Sequence, residues 1–352
     1  MKKKNRLKTI LNKEKDHTMN EIQEARKGLT AIAETEARSV IFRSRAEFVE
    51  KNEKCTPYFF KRIANNRSHT NIQELNIDGN ITKDSRAIEK EISGFYRDLY
   101  SKKDQMNQTI PFHLDLPKVK ESDLERTERQ ISMNEITMAL NSMPNNKAPG
   151  DDGLTVLLYK KFWKELSKPL LDCLRENITK GEMTTSQKRS VIRLIQKKGK
   201  DPTLVKNWRP ISLLNIDSKI FSKCIAERIR LPMKYLIHED QKAFVKGRLM
   251  AENIIELQTT LQKLELENTK AAVLNIDFQK AFDTIDHGAL WKTMEAFGYG
   301  KNLIHLCKTL YKGATSCTIN NGYTSQRFEV GRSCRQGDCV SPYLFQIGRA
   351  HV

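Results

Sequence analysis

One carboxylate stands where an apolar run gives way to a polar turn, and this position suits metal chemistry. Residues 271–276 form a short, mostly aliphatic run, which predicts a buried strand that ends at Asp277. Hard divalent cations prefer carboxylate and carbonyl oxygens, and a strand end holds such ligands rigidly. The alternative is that Asp277 only forms a turn or caps a helix, which is the commoner role of a lone aspartate.

Two further acidic residues follow in the polar turn. Asp283 and Asp286 precede a helical pattern formed by Leu290, Met294 and Phe297. An acidic residue just before such a pattern satisfies the free backbone N–H groups of the first helical turn. We therefore expect Asp283 to have a structural role, with Asp286 completing a pair that resembles a capping box.

Basic and glycine-containing stretches on either side supply groups that would suit a phosphorylated ligand. Upstream, a run of lysines that includes Lys198 is followed by Arg209, and downstream Gly337 follows Gln336. A guanidinium binds phosphate oxygens bidentately, ammonium groups supply mobile point charges, and glycine allows close backbone approach. A solvated basic loop is the alternative, and it is stronger for Lys198 than for Arg209.

In this order and at these spacings, the three stretches resemble reverse transcriptases, in particular those of non-LTR retrotransposons of the long-interspersed-element type. Residues 277–283 resemble the first palm motif of that family, and residues 336–342 resemble its second. Arg209-Pro210 resembles the basic fingers motif. The resemblance covers most of residues 40–346.

The resemblance implies an RNA-directed DNA polymerase that uses an RNA template, a DNA primer and dNTPs. Asp277 would be the catalytic metal ligand, and the backbone carbonyl of Phe278 would add an oxygen. The cofactor would be Mg²⁺, with Mn²⁺ as a substitute. Two such ions about 3.5–4 Å apart stabilise the attacking and leaving oxygens of a phosphoryl transfer together.

The resemblance also implies a nucleotide-binding set on the fingers and palm. Its members are Lys198, Arg209, Phe278, Phe282, Gln336 and Gly337. Phe282 would lie under the sugar and exclude a 2′-hydroxyl, although an apolar anchor for the turn is the alternative. An RNA-dependent RNA polymerase would need a polar group there, and the adjacent Asp283 leaves that alternative open.

The expected fold class is α+β, with right-hand polymerase fingers and an incomplete palm preceded by a mostly helical basic region. The basic region would occupy residues 1–125, with a linker near 101–125. Residues 126–270 would form the fingers-like region and residues 271–346 the partial palm. Within the first region, residues 1–54 carry apolar residues at helical spacing, and Asp78-Gly79 predicts a hairpin turn. Ser132 and Glu135 predict a capping box at a helix start. Asp151-Asp152 are expected to cap the helix that follows them rather than to bind a metal.

The sequence lacks the second metal motif of the family, which is an apolar or aromatic residue followed by alanine and two aspartates. We therefore expect this truncated chain to be inactive. Residues 347–352 break the helical pattern before them, and their back-translation resembles a common sequencing-library adapter. We expect these last residues to be a non-native scar.

The charge balance favours a polyanionic partner. The chain has 61 Lys+Arg against 43 Asp+Glu, a net charge of +18, and each neutralised phosphate releases counterions. A non-catalytic RNA- or DNA-binding remnant of such an element is the alternative function. An intron maturase is another, but the retrotransposon-like stretch at residues 40–100 argues against it.

Composition also bears on location. The seven cysteines are scattered without a C-x-x-C pair, which indicates reduced intracellular thiols, and the dispersed histidines do not support zinc. No apolar run approaches the roughly 18 residues that would span a bilayer. We expect an intracellular protein, present in nucleus and cytoplasm as a ribonucleoprotein and without a membrane partner. The oligomeric state stays open.

Overall fold

The computed structural model describes residues 71–102 and 116–349, and they belong to a compact unit that begins at residue 70. The helical pattern expected within residues 1–54 and most of the expected linker, at 103–115, lie outside the described residues. No described helix is both long enough and apolar enough to cross a membrane.

The described residues form helices and short strands in mixed order. In chain order the elements are β1 (Leu75–Ile77), β2 (Asn80–Thr82), α1 (Ser85–Tyr100), α2 (Glu121–Thr127), α3 (Met133–Ser142), α4 (Val156–Lys161), α5 (Trp163–Lys180), β3 (Arg189–Gln196), β4 (Trp208–Leu214), α6 (Ile216–Leu236), α7 (Met250–Leu266), α8 (His287–Ala296), α9 (Lys301–Tyr311), β5 (Thr315–Asn320), β6 (Tyr323–Thr324), β7 (Phe328–Glu329) and α10 (Ser341–Arg349). Short 3-10 turns lie at Val205–Asn207 and Ala281–Thr284. This mixture of helix and sheet confirms the α+β class in its coarse form.

The main sheet places β3 between an antiparallel and a parallel neighbour. It pairs antiparallel with β4, so that Ile195 lies opposite Arg209, and parallel with β5. The short strands β6 and β7 both pair antiparallel with β5. Alternate β3 side chains such as Ile192 and Leu194 are buried, which is the period of two expected of a strand with one covered face.

Two hydrophobic clusters hold the unit together. In the larger, α6 lies centrally with Ile220, Phe221 and Ile225 fully buried, and it packs on α3, α9 and α10. The smaller lies between α1 and the sheet, where Ile88 and Ile92 are buried. The sheet and α6 therefore give a rigid base to the loops that connect them.

Several local predictions are confirmed. The β1–β2 hairpin turns at Asp78 and Gly79, both with positive φ, as a two-residue primed turn requires. Ser132 and Glu135 form a reciprocal capping box at the start of α3. By contrast, α10 continues to Arg349 and buries Ile347, so the predicted break in the helical pattern at residue 347 is wrong.

The predicted buried strand at residues 271–276 is also wrong. This stretch is extended but forms no strand, and Val273, Leu274 and Ile276 are 53%, 83% and 71% exposed. A strand needs a neighbour for its backbone N–H and C=O groups, and no described strand pairs with these residues. An apolar sequence pattern alone therefore did not make a sheet element here.

Candidate functional site

A cavity of about 420 Å³ lies where α1, β4, the 3-10 turn at Ala281–Thr284 and the start of α10 meet. It brings together residues from stretches far apart in the sequence. Among its lining residues are Arg209, Phe282, Asp283, Gln336, Gly337 and Ser341. Four of the predicted nucleotide-binding residues, Arg209, Phe282, Gln336 and Gly337, thus share one cavity.

The loop that carries Gln336 is held directly on β4. The backbone N–H of Ser212 donates to the carbonyl oxygen of Gln336 at 2.7 Å. Gly337 has a φ of +104°, and a Cβ at this residue would lie 2.8 Å from the carbonyl oxygen of Ser212. Glycine is therefore required by the contact with β4, which is a different reason from the predicted approach to a nucleotide.

The same loop is fixed from beneath by a buried ion pair. Arg335 donates to Asp338 at 3.0 Å, and both side chains are almost fully buried. The hydroxyl of Ser222 on α6 also donates to Asp338. The Arg335 guanidinium lies over the Tyr311 ring, 4.9 Å from its centroid. Core elements thus position Gln336 and Gly337 at the cavity.

Asp283 forms the polar floor of the cavity. Its carboxylate accepts from the hydroxyl of Tyr100 at 3.0 Å and from the amide of Gln336 at 3.2 and 3.3 Å. The side chain is buried rather than capping a helix. Asp286 alone caps α8, accepting from the backbone N–H of Ala289 at 2.8 Å, so the expected capping role of Asp283 is wrong.

The electrostatics of this floor follow from its burial. Desolvation is the largest cause of a raised pKa at Asp283, because burial penalises the charged carboxylate. The hydrogen bonds from Tyr100 and Gln336 act in the opposite direction, as do the charges of Lys280 and Lys197. Burial likewise raises the pKa of Tyr100 well above its ordinary value. Tyr100 therefore stays protonated and donates to Asp283.

Phe282 faces the cavity and is also anchored in an aromatic cluster. Its ring stacks on Phe345 with centroids 4.2 Å apart, and Phe244 meets it edge-on at 6.4 Å. Its backbone carbonyl accepts from the N–H of Cys334 at 2.8 Å. The two roles weighed for Phe282, a wall under a sugar and an anchor for the turn, are thus compatible in one side chain.

The cationic wall of the cavity differs in one residue from the prediction. Lys197, Lys206 and Arg209 line the cavity, whereas Lys198 is exposed and does not. The N–H of Lys197 bonds to the carbonyl of Asn207 at 3.0 Å, which extends the β3–β4 pairing by one residue. Lys198 lies in the turn that follows β3, where the N–H of Lys200 donates to the carbonyl of Lys197 at 3.2 Å. The role of Lys198 at the nucleotide stays a prediction.

The predicted metal-binding residues lie apart from this cavity. Asp277 and Phe278 are exposed and are absent from its lining. Within residues 71–102 and 116–349, no three His, Cys, Asp or Glu side chains converge as a ligand set. Their roles as metal ligands and as nucleotide contacts stay predictions.

The paired acidic residues Asp151 and Asp152 have structural partners. Asp151 forms an ion pair with Arg327, and Asp152 accepts from the backbone N–H of Leu154 at 3.0 Å. The cap of α4 is Thr155, which accepts from Leu158. Thr155, and not either aspartate, caps this helix, so the capping role predicted for the aspartates is wrong. Both aspartates lie in the loop before the helix.

Sequence reasoning missed Asp283 and Lys197 as cavity residues, and Tyr100 as the partner of Asp283. Nothing in the local pattern indicates that Tyr100, the last residue of α1, meets Asp283, since that contact joins residues 183 positions apart.

The raised pKa of Asp283 predicts a specific pH dependence of stability. The folded protein holds the proton of Asp283 more tightly than the unfolded chain does, whose Asp pKa is about 3.9. This group's contribution to the free energy of unfolding therefore falls as pH rises from the unfolded pKa through the raised folded pKa. In the variant Asp283→Asn that loss is absent, so its stability relative to the wild type should increase with pH.

Urea unfolding midpoints measured at several pH values, from about 4 upwards, would check this. The control is Asp78→Asn, which changes an exposed aspartate in the β1–β2 turn. Parallel curves of stability against pH for Asp283→Asn and the wild type would contradict the prediction.

Comparison with known proteins places the chain in a family. Residues 195–351 match the family model described as reverse transcriptase (RNA-dependent DNA polymerase). That range contains the cavity residues Arg209, Phe282, Gln336 and Gly337, but not α1.

Individual relatives extend the similarity over most of the chain. It is 33% identical over 332 residues to the transposon TX1 uncharacterized 149 kDa protein of Xenopus laevis, covering 93% of this chain and 25% of that protein. It is 26% identical over 220 residues to a retrovirus-related Pol polyprotein from type-1 retrotransposable element R2 of Popillia japonica, covering 62% and 30%. It is 27% identical over 221 residues to the RNA-directed DNA polymerase from mobile element jockey of Drosophila melanogaster, covering 62% and 24%.

The chain thus spans between about a quarter and a third of these relatives' lengths. The family model describes a reverse transcriptase, and the jockey relative is named as an RNA-directed DNA polymerase, so the two comparisons agree. Residues 195–351 therefore form a reverse transcriptase domain, and this domain belongs to the reverse transcriptases of non-LTR retrotransposons.

Proposed function

We propose that the protein to which this chain belongs copies RNA into DNA, and that the cavity receives the incoming dNTP. One observation carries the proposal. Four residues expected at the nucleotide, from three separate stretches, line the same cavity of about 420 Å³. This convergence supports a site built for one ligand, because independent stretches meet there.

The cationic wall would bind the triphosphate. Arg209 offers a planar fork that matches phosphate oxygens, while Lys197 and Lys206 supply mobile charges beside it. Lys197 already donates to the backbone carbonyl of Lys206 at 2.9 Å, which holds it close to the wall. Lys197 replaces Lys198 as the proposed helper of Arg209.

The floor of the cavity would face the sugar. Phe282 is fixed by stacking on Phe345, so its ring would resist displacement by a 2′-hydroxyl. Both carboxylate oxygens of Asp283 already accept hydrogen bonds, from Tyr100 and Gln336. A 2′-hydroxyl would have to compete with those donors, which favours deoxynucleotides over ribonucleotides.

The intact polymerase would use Mg²⁺, or Mn²⁺ in its place. Carboxylate and carbonyl oxygens are suitable ligands for these hard cations, so Asp277 and the backbone carbonyl of Phe278 are the proposed contribution of this chain. Such ions supply charge stabilisation at the transferring phosphoryl group. The described residues do not by themselves bring a full ligand set together.

The remaining assignments complete this proposal. The basic region would occupy residues 1–125, the fingers 126–270 and the partial palm 271–346. An RNA template and a DNA primer are the proposed nucleic-acid partners, and the net charge of +18 supports them. The proposed setting is a ribonucleoprotein in nucleus and cytoplasm.

We expect the 352-residue polypeptide by itself not to extend a primer. Asp277 lies on an exposed stretch that no described strand supports, and catalytic ligands need rigid positioning. Primer extension on an RNA template with Mg²⁺ or Mn²⁺ would measure this. DNA synthesis that disappears in Asp277→Ala would contradict the expectation, whereas salt-sensitive binding without incorporation would fit a nucleic-acid-binding remnant.

Nucleotide binding should depend on Lys197 and not on Lys198. A hydrogen bond to a charged group contributes about 1.5–3 kcal/mol, so Lys197→Gln should weaken dATP binding about tenfold or more. Lys198→Gln removes the same charge from the adjacent exposed residue, and an exposed charge contributes about 1 kcal/mol or less. The dATP concentration dependence of the melting temperature would give both affinities. Equal losses in the two variants would contradict the assignment of the cationic wall.

A further inference from the structure

A second cavity lies on the other side of α1 from the nucleotide cavity. It has a volume of about 480 Å³ and is formed by α1 and residues 323–326. With 3.6 residues per turn, Arg86, Lys90 and Arg97 fall on one stripe of α1. Phe95 and Leu99, which line the nucleotide cavity, fall on the opposite side. We call this second cavity the α1–β6 groove.

Three cations line the groove. Arg86, Lys90 and Arg97 are exposed, and none of them forms an ion pair with a described carboxylate. Exposed lysines on α5 behave differently, since Lys168 and Lys180 each pair with an acidic residue one turn away. At about 1.5 Å rise per residue, the three cations span about 16 Å along α1. Such a row suits a ligand with repeated negative charges.

The groove also has an open floor and an aromatic edge. Gly94 lies in the middle of α1, and a Cβ added there would meet no atom within 4 Å. No packing contact requires this helix-weakening residue, and its missing side chain leaves the groove open. Tyr323 stands at the edge with 45% of its surface exposed, where its ring is free to stack on a planar group.

Two buried polar groups in the groove wall have unused hydrogen-bonding capacity. Oε2 of Glu89 and Oγ of Ser93 have no partner among the described residues, although the two residues are only 5% and 3% exposed. Thr318 donates to the other carboxylate oxygen of Glu89. Burial raises the pKa of Glu89 to about 7, with the Thr318 hydrogen bond acting against this. Glu89 therefore puts less than a full negative charge beside the cations near neutral pH.

We propose that the α1–β6 groove binds a strand of single-stranded nucleic acid, with phosphates on Arg86, Lys90 and Arg97 and a base stacked on Tyr323. Cations that track a backbone beside an exposed aromatic ring form the common arrangement for single strands. The groove is distinct from the nucleotide cavity, so this binding does not depend on the proposed polymerase activity.

The test measures binding of fluorescein-labelled oligo(U) to the full chain by anisotropy, in EDTA and over a series of salt concentrations. The variant Arg86→Gln/Lys90→Gln/Arg97→Gln removes three phosphate contacts. Its plot of log affinity against log salt should be flatter by about 2, because each contact to a single strand contributes about 0.7. The control Lys164→Gln/Lys292→Gln/Lys301→Gln removes the same charge from exposed residues outside the groove and should leave the slope unchanged.

Two substitutions that leave the net charge unchanged test whether the groove itself, rather than the charge of the protein, binds the strand. Gly94→Met fills the groove without altering charge and replaces glycine by a better helix former, so it should fold and yet bind oligo(U) more weakly. Tyr323→Leu should lower affinity about fivefold to a hundredfold, by loss of base stacking, while leaving the salt slope unchanged.

Competition defines the ligand. Oligo(dT) that binds as well as oligo(U) would identify recognition of the strand itself, whereas preference for oligo(U) would identify RNA. Excess dATP, which would fill the nucleotide cavity, should not displace either strand. Equal effects of the two triple variants, unchanged binding by Gly94→Met, or equally tight binding of duplex DNA would each overturn the proposal.

Discussion

The hydrogen bond from the N–H of Ser212 to the carbonyl of Gln336 is the contact on which the nucleotide cavity depends. At 2.7 Å it joins the strand that carries Arg209 to the loop that carries Gln336. These residues are separated by more than a hundred positions in the sequence, so only tertiary structure brings them together. This contact joins the cationic wall directly to the Gln336 loop, which the Arg335–Asp338 ion pair and Ser222 also hold from the core.

Buried polar groups position the cavity, and such groups are costly unless they are paired. Asp283 accepts from Tyr100 and Gln336, and the Arg335–Asp338 pair lies beneath the loop. Each group has at least one partner that also fixes its orientation. Burying these groups lowers the folding stability while it fixes their positions. The raised pKa of Asp283 reflects the desolvation of its carboxylate.

The two faces of α1 suggest how one helix serves two binding surfaces. One face packs against the sheet and contributes Phe95, Tyr96 and Leu99 to the nucleotide cavity. The other presents to the α1–β6 groove three cations that form no ion pair within residues 71–102 and 116–349. Because α1 is rigidly packed through Ile88 and Ile92, a strand held in the groove would keep a fixed distance from the nucleotide cavity.

Elements whose hydrogen bonds form between residues close in sequence could be predicted from the sequence. The Asp78-Gly79 turn and the Ser132–Glu135 capping box formed as predicted because their hydrogen bonds are local. Four residues that the motif resemblance grouped together also line one cavity, and their contact with a nucleotide stays a prediction.

Predictions failed where a partner distant in sequence decides the outcome. The aliphatic run at 271–276 pairs with no strand of the described residues, so β propensity alone did not make it a sheet element. Asp283 was expected to cap a helix because short-range patterns contain no sign of Tyr100 or Gln336. The motif resemblance pointed to Lys198, whereas Lys197, the residue before it, lines the cavity.

The most direct test of the nucleotide cavity is the affinity for dATP of the variant Gly337→Ala, measured by thermal shift alongside its far-UV circular dichroism. The matched control is Gly79→Ala, because Gly79 also has a positive φ but has no atom within 4 Å of an added Cβ. The close contact with Ser212 predicts that Gly337→Ala keeps its helical signal and loses dATP binding, while Gly79→Ala keeps both. Wild-type affinity for dATP in Gly337→Ala would contradict this account of the site.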